Sequence, residues 1–197
     1  MRFNRRILHK ICFHLNSQDF TSLTSNLVTL HNIATIDAAR GNHQHALALY
    51  KQVIALQRKL FGPNHIAVAV TCACMGDVFE RVGDINESIA CFEESVRIKT
   101  IAMGRHSLEV ARLLHKLSKL TILQGDHALA DSYVSRAILI YRLNKLSESD
   151  EWMVDATRDA ADIDAALVIR NAAHAKGTLN QYYNYSQPEF FKGRGNF

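Results

Sequence analysis

The stretch MGDVFERVGDINESIACFEESV, residues 75–96, contains two segments with apolar or small residues at helical intervals, one on each side of Gly83. Intervals of three and four residues place such side chains on one face of a helix. A glycine between the segments supplies the left-handed backbone conformation that commonly ends a helix. The stretch therefore predicts a helical hairpin that turns at Gly83.

The hairpin pattern recurs with a period of 42 residues. Gly41, Gly83 and Gly125 are each followed by a polar residue, and the sizes of the flanking side chains repeat in the same register. We expect the small residues to let the two helices of a hairpin approach closely, while the large ones fill the space between hairpins. The alternative is a chance match inside an ordinary helical bundle. The matching positions are Ala34, Ala46 and Tyr50; Gly76, Ser88 and Phe92; and Ser118, Ala130 and Val134.

This repeat predicts an all-α fold, a right-handed α-solenoid of antiparallel helical hairpins. We expect helices at about 4–16, 26–40, 43–60, 66–82, 85–103, 107–124, 127–145 and 150–175. Residues 1–25 are interpreted as a basic N-terminal helix, either a degenerate repeat or a targeting segment. The repeat array covers 26–175, with units at about 26–65, 66–106 and 107–148 and a partial unit at 149–175. Residues 176–197 are rich in aromatic residues and are expected to form a disordered tail.

Residues 69–98 resemble a tetratricopeptide repeat, and the long period resembles the kinesin light chain subfamily. Units of that subfamily end in a Gly-x-x-His-x-x-Val-Ala junction, which stands here as GPNHIAVA at 62–69. GRHSLEVA at 104–111 is a second such junction, with its histidine one place early. The resemblance covers about 27–153. It weakens toward the C-terminus, where Asp131 replaces an aliphatic residue and Leu167 stands where a fourth unit needs glycine.

The resemblance implies that the first helix of each hairpin lines an inner groove that binds peptides. Asn32 matches an asparagine that the light-chain family repeats to hold a peptide backbone. A basic segment in the third and fourth units would complement a peptide with acidic side chains or a terminal carboxylate; a solvated helix face is the alternative. Charge reversal at Lys116 and Lys119 is expected to weaken partner binding. The candidate groove residues are His31, Asn32, Asp77, Arg112, His115, Lys116, Lys119 and Arg158.

The sequence contains no recognisable pattern of catalytic, metal-binding or cofactor-binding residues. His43 and His45, like Cys72 and Cys74, are two residues apart and would point in different directions on a helix. The sequence has no phosphate-binding glycine loop and no His-Glu-x-x-His motif. The acidic stripe Asp155, Asp159 and Asp162 is interpreted as a solvated or capping face. We therefore expect no catalytic residue, metal or cofactor.

The net charge of +4 belongs to the two ends of the chain. This distribution disfavours a nucleic-acid partner, and no apolar run approaches the roughly 20 residues of a membrane span. The cysteine spacing suggests a reducing compartment. We expect a cytoplasmic location, or a mitochondrial or plastid one if residues 1–18 are a transit peptide.

The leading functional hypothesis is a non-enzymatic protein–protein interaction scaffold that binds a peptide segment of a partner in its concave groove. The alternative is a regulatory or adaptor fragment of a larger enzyme or signalling protein. An enzyme in its own right is the third hypothesis. A link to a motor complex rests on the resemblance alone, because no heptad segment is visible.

Overall fold

The computed structural model describes the backbone of residues 17–185 and the side chains of residues 21–173. Within this part of the chain all regular secondary structure is helical. The seven helices are α1 (Ser17–Ala39), α2 (His43–Phe61), α3 (Ile66–Val82), α4 (Ile85–Met103), α5 (Leu108–Leu123), α6 (His127–Leu143) and α7 (Glu151–Tyr185).

Each helix packs against the next one in the chain, so that α1–α2, α3–α4 and α5–α6 form three hairpins and α7 follows as a further first helix. The expected all-α array of antiparallel hairpins is confirmed. The observed bounds of α2 to α6 agree with the expected ones to within two residues at each end.

Glycines with positive φ end helices both at the turn within a hairpin and at the junction between two hairpins. Gly83, between α3 and α4, has φ +82°, and Gly62, between α2 and α3, has φ +93°. The next helix is then capped by a side chain that accepts a backbone N–H. Asp84 Oδ1 accepts from Glu87 N at 3.3 Å, and His65 Nδ1 accepts from Ala67 N at 3.2 Å. The junction histidine is therefore a helix cap.

Small buried residues bring the two helices of a hairpin together. Ser88 Oγ of α4 donates to Gly76 O of α3 at 2.9 Å, and Ser95 Oγ donates to Ala69 O at 2.8 Å. A side chain on Gly76 would meet the buried ring of Phe92. The 42-residue size pattern is thus the packing pattern of the hairpins.

The first helix starts nine residues before its expected start at 26. In the segment that precedes position 26, Thr24 Oγ1 donates to Thr21 O at 2.9 Å, so this hydroxyl group is satisfied within the helix and does not interrupt it. The boundary expected at residue 25 therefore falls inside α1. The helix expected at 4–16 lies outside the described residues, and so does most of the 1–18 transit-peptide alternative.

The third hairpin ends without a glycine. Lys145 adopts φ +59° in its place, and Asn144 Nδ2 donates to Ile140 O at 2.8 Å, which closes the end of α6. A lysine is strained in this conformation, unlike glycine. The junction after the third hairpin therefore departs from the repeat pattern only in the residues of the turn itself.

The last helix continues to Tyr185, ten residues past its expected end at 175. The backbone of residues 176–185, which were expected to belong to a disordered tail, is helical. Alanines at 172, 173 and 175 favour a helix, and a glycine inside it, Gly177, costs only about 1 kcal/mol. Residues 186–197 lie outside the described part. Among the described helices, none has both the length and the hydropathy of a membrane span.

Candidate functional site

The first helices of the hairpins lie next to one another on one side of the array. α1 contacts α3 and α5 contacts α7, and a cleft separates α3 from α5, whereas α2, α4 and α6 make no contact with one another in the described part of the chain. Hairpins whose first helices approach more closely than their second helices curve toward the first helices. We call this side the inner face. Two clefts lie along it.

The larger cleft, of about 470 Å³, lies between α3, α5 and α7 and is called the charged cleft. Ala73, Leu113 and Trp152 supply apolar surface, and Phe92 reaches the cleft from the second helix α4. A cleft of this composition offers both apolar contact and charged groups to a ligand. Its ionisable lining residues are Asp77, Glu80, Arg112, His115, Lys116, Lys119 and Asp155.

Lys116 joins α5 to α3 inside the charged cleft. Its Nζ donates to Asp77 Oδ1, lies 3.0 Å from Glu80 Oε2 and lies 4.9 Å from the centre of the Phe92 ring. Burial by itself would lower the pKa of Lys116, but the hydrogen bonds and negative charges of Asp77 and Glu80 outweigh it, so the pKa is raised. Lys116 therefore stays charged and ties two first helices together.

His115 joins α5 to α7. It is only 3% exposed, and its Nε2 lies 2.7 Å from Asp159 Oδ2. Lys119 Nζ lies 3.5 Å from the same carboxylate oxygen. Since a buried imidazole requires a hydrogen-bond partner, Asp159 is a structural contact between two units. The expectation of a solvated acidic stripe is thus wrong for Asp159.

Arg112 and Trp152 lie at the exposed edge of the charged cleft. The guanidinium carbon of Arg112 is 4.8 Å from the centre of the Trp152 ring, which is a cation–π contact. Arg112 Nη1 also donates to Glu109 Oε1 at 3.2 Å. Trp152 remains 42% exposed, so much of this stacked pair is open to a ligand.

Positive and negative charges balance in the charged cleft. Its lining contains three cationic side chains, on α5, and three carboxylates, on α3 and α7. The expected basic segment is present on α5, but acids from the neighbouring units lie against it. The charged cleft is therefore a surface of paired charges over apolar side chains, and its overall charge is close to neutral.

The second cleft, of about 360 Å³, lies between α1, α2 and α3 and is called the apolar cleft. His31 lines it, with Nδ1 3.3 Å from Thr71 Oγ1 and its ring 5.5 Å from that of Tyr50, centre to centre. Burial lowers the pKa of His31, so its imidazole is neutral at neutral pH. The other lining residues are Thr24, Leu27, Val28, Gln57, Phe61, His65, Ala67, Val70 and Thr71.

The structure distributes the eight candidate residues over three places. Asp77, Arg112, His115, Lys116 and Lys119 line the charged cleft, and His31 lines the apolar cleft. Asn32 is exposed on α1 and lines neither cleft. Arg158 is exposed, donates to Asp155 Oδ1 at 3.4 Å and also lines neither.

Sequence reasoning missed several residues of the charged cleft. Trp152 had a usable signal, because it is the only tryptophan in the chain and tryptophan is enriched where proteins bind one another. Phe92 was recognised only as a filler between hairpins. Glu80 and Asp155 had no signal, since their approach to α5 depends on how successive hairpins stack.

No group of three or more His, Cys, Asp or Glu side chains that could hold a metal ion occurs within the residues whose side chains are described. Cys72, Cys74 and Cys91 are free thiols. Burial raises the pKa of Cys72 to about 11 and that of Cys91 to about 12. These two thiols are therefore protonated, and poor nucleophiles, at neutral pH.

The model of the tetratricopeptide repeat family matches residues 25–100 and 70–142, which together span more than half of the chain. Repeats of this kind are in general protein-interaction modules.

Curated relatives include the clustered mitochondria protein homologues of Aspergillus oryzae and Emericella nidulans, each 26% identical over 152 residues. The aligned part is 74% of this chain, but only 11% and 12% of those two proteins. The chain thus spans about a tenth of the length of the curated relatives it matches.

Two solved structures share the fold. The nearly identical TPR-like repeats from Podosopora anserina, described as those of a kinesin light chain, superpose with a TM-score of 0.64 at 18% identity, covering 94% of this chain and 86% of that one. BtubC (BKLC) from P. vanneervenii gives a TM-score of 0.67 at 15% identity, covering 98% of this chain and 75% of that one. At these identities the likeness concerns the fold, which is that of the kinesin light chain-like arrays. This chain belongs to the tetratricopeptide repeat family.

Proposed function

We propose that the chain is a non-enzymatic interaction scaffold that binds an extended peptide segment of a partner protein on its inner face, in the manner of a kinesin light chain-like array. The supporting observation is the exposed pair of Arg112 and Trp152 at the charged cleft. Arginine and tryptophan are the residue types that most often dominate binding energy at protein interfaces. Concave faces of repeat arrays suit extended ligands.

The proposed partner segment carries acidic side chains or a terminal carboxylate. Lys116 is already engaged by Asp77 and Glu80, so it offers little to a ligand. Lys119 is more available, because its side chain is 51% exposed and its one ion-pair partner among the described residues is 3.5 Å away. The Arg112 side chain is 45% exposed and donates to Glu109 from Nη1, so its other N–H groups can make a bidentate contact with a ligand. A carboxylate of the ligand can thus replace one of the chain's own carboxylates as the partner of Arg112 or Lys119. With charges balanced in the cleft, nucleic acid and membrane surfaces are not proposed as partners.

Selection from a phage-displayed peptide library on the full chain tests this function. The affinity of a selected peptide, measured by fluorescence anisotropy, should fall about 30-fold in Trp152→Ala, the effect of losing a hot-spot residue. Leu139→Ala is the control, because Leu139 is also a large, exposed apolar residue but lies on the second helix α6. Equal affinities of the wild type and Trp152→Ala, or failure to select any peptide, would contradict the proposal.

Charge reversal separates the two lysines of the charged cleft. Lys119→Glu should weaken the binding of a carboxylate-bearing peptide. It should leave folding intact, because the Lys119 side chain is half exposed. Lys116→Glu would place a third carboxylate beside Asp77 and Glu80, so we expect it to destabilise the array itself. Circular dichroism melting of both variants distinguishes a binding effect from an unfolding effect. Unchanged peptide affinity in Lys119→Glu would rule out the acidic preference.

A second candidate function is that of a regulatory or adaptor segment of a larger enzyme or signalling protein. It is favoured by the relatives in which the matching region is about a tenth of the chain. An antibody against the array, used on extracts of cells that express it, tests this. A band at 22.2 kDa supports an independent scaffold, and a much larger band supports the second candidate.

We propose a cytoplasmic location, with a mitochondrial or plastid one as the alternative if residues 1–18 are removed as a transit peptide. Imaging of the chain with a C-terminal fluorescent tag, combined with N-terminal sequencing of the tagged product, decides between them. Diffuse fluorescence and an intact N-terminus support the cytoplasm; organellar fluorescence and loss of the first residues support import.

A further inference from the structure

A buried side-chain amide opens into the apolar cleft. Gln57 of α2 is only 7% exposed and lines this cleft. Its Oε1 accepts a hydrogen bond of 3.0 Å from Thr71 Oγ1. Its Nε2 has no hydrogen-bond partner among the described residues, yet it is not fully enclosed either. The amide nitrogen therefore belongs to the small exposed surface of Gln57, a residue that lines the cleft.

An amide N–H₂ without an acceptor in an apolar environment is costly, because buried polar groups are normally hydrogen-bonded. No neighbouring polar atom among the described residues accepts a hydrogen bond from Gln57 Nε2. His65 Nδ1 accepts from Ala67 N, and His31 Nδ1 faces Thr71 Oγ1. The apolar cleft thus contains a donor that a ligand can satisfy.

The lining of the apolar cleft selects against charged ligands. It contains no Asp, Glu, Lys or Arg side chain, and its histidine on α1, His31, is neutral because burial lowers its pKa. A ligand carboxylate would lose its hydration here without gaining a counter-charge. An uncharged carbonyl oxygen, by contrast, can accept from Gln57 Nε2, while an apolar group attached nearby contacts Leu27, Val28 and Val70.

We infer that the apolar cleft binds one large apolar side chain of a partner peptide, and that Gln57 Nε2 donates to the backbone carbonyl oxygen beside that side chain. Its volume of about 360 Å³ falls within the roughly 300–1,000 Å³ of small-ligand sites. The inference rests on the proposed peptide-binding function and extends it. The inner face has an apolar subsite between the first two units and a charged subsite between the second and third, so the partner segment has an apolar part and a charged part.

NMR titration of the ¹⁵N-labelled full chain tests the apolar subsite directly. The probes are N-acetyl-leucine amide, which has one apolar side chain and uncharged carbonyls, and N-acetyl-aspartate amide, which has a carboxylate instead. The side-chain NH₂ signals of Gln57, identified by their absence in Gln57→Met, should shift saturably with the leucine probe and stay unchanged with the aspartate probe. Equal responses to both probes, or none, would overturn the inference.

Substitutions separate the amide from the apolar walls. Gln57→Met keeps the size of the side chain but removes its hydrogen-bond donors. The affinity for the leucine probe should therefore fall about tenfold. Gln52→Met, an exposed change on the same helix, should leave the affinity at the wild-type value. Val70→Asp should abolish binding, whereas Val82→Asp should not, because both valines are exposed on α3 and only Val70 lines the cleft. These valine variants keep the test valid if Gln57→Met does not fold.

Failure of this inference differs from failure of the proposed function. If a selected peptide binds in a Trp152-dependent manner while the leucine probe leaves Gln57 unshifted, the apolar subsite is ruled out and the scaffold function stands. If the leucine probe binds and no peptide is selected, the scaffold function fails and the subsite remains.

Discussion

Gly76 lies where the two helices of the second hairpin come closest. A Cβ built on it would be 3.0–3.2 Å from three ring atoms of Phe92, which is buried. Gly76→Ala would gain up to about 1 kcal/mol of helix propensity, but crowding of a packed core costs about 1–3 kcal/mol. We expect a net loss of about 1 kcal/mol in the free energy of unfolding, measured with urea.

In the double variant with Phe92→Leu the loss should be smaller than the sum of the single effects. A more stable Gly76→Ala variant would show that the ring is free to move.

Glu109 and Lys99 link α5 to α4 in a pH-dependent way. Lys99, which is buried, donates from Nζ to Glu109 Oε2 at 2.8 Å, and this hydrogen bond, reinforced by the charge of Lys99, lowers the pKa of Glu109. In the unfolded chain the pKa of a glutamate is about 4.3. A carboxyl group with a lowered pKa in the folded state stabilises the protein above that value, and the contribution disappears as the pH falls through the folded pKa.

The stability difference between the wild type and Glu109→Gln should therefore be largest at neutral pH and shrink below about pH 4.3. Urea unfolding at several pH values measures it. Glu87→Gln, at an exposed position on α4, is the control and should differ little from the wild type at any pH. A difference for Glu109→Gln that stays constant down to pH 3 would show that the contribution of Glu109 to stability does not depend on its ionisation.

The last helix combines a docked part with a part that projects beyond the hairpins. Met153, Ala156 and Ile163 are buried in the core with residues of α5 and α6, whereas Val168 and Ile169 are about 70% exposed. We expect Asn171→Pro to end the helix near position 170, because proline removes a backbone donor and clashes with the preceding turn. Helical circular dichroism should decrease while the melting temperature of the array stays the same, and Asn171→Ala should change neither. A large drop in melting temperature would mean that residues beyond 171 help to hold the array together.

The helices could be predicted from the sequence where glycine junctions and repeated side-chain sizes mark both ends, as in α2 to α5. The ends of α1 and α7 could not. Thr24 satisfies its hydroxyl group within the helix, and Gly177, a stop signal between Leu167 and Tyr185, lies inside a helix that continues past it. Both errors arise because local propensity was judged without knowing that the helix continues from a packed segment.

At the level of the whole molecule, the repeat register located the inner face but not its electrostatics. Asp77, His115 and Lys116, which the register predicted to face inward, line one cleft. Their partners are about one repeat away in sequence, as Lys116 is from Asp77 and His115 from Asp159. Which side chains meet across such a distance depends on how the hairpins stack. A sequence pattern does not contain this stacking geometry. The balanced charge of the cleft and the open amide of Gln57 therefore emerge only from the structure.

Hydrogen–deuterium exchange of the full chain, with and without a selected peptide at saturating concentration, tests the central claim that this array binds a peptide on its inner face. We predict slower exchange in α3, α5 and α7, the helices that form the charged cleft, and unchanged exchange in α6, which does not line it. Protection concentrated in the second helices, or no protection at saturation, would contradict the claim.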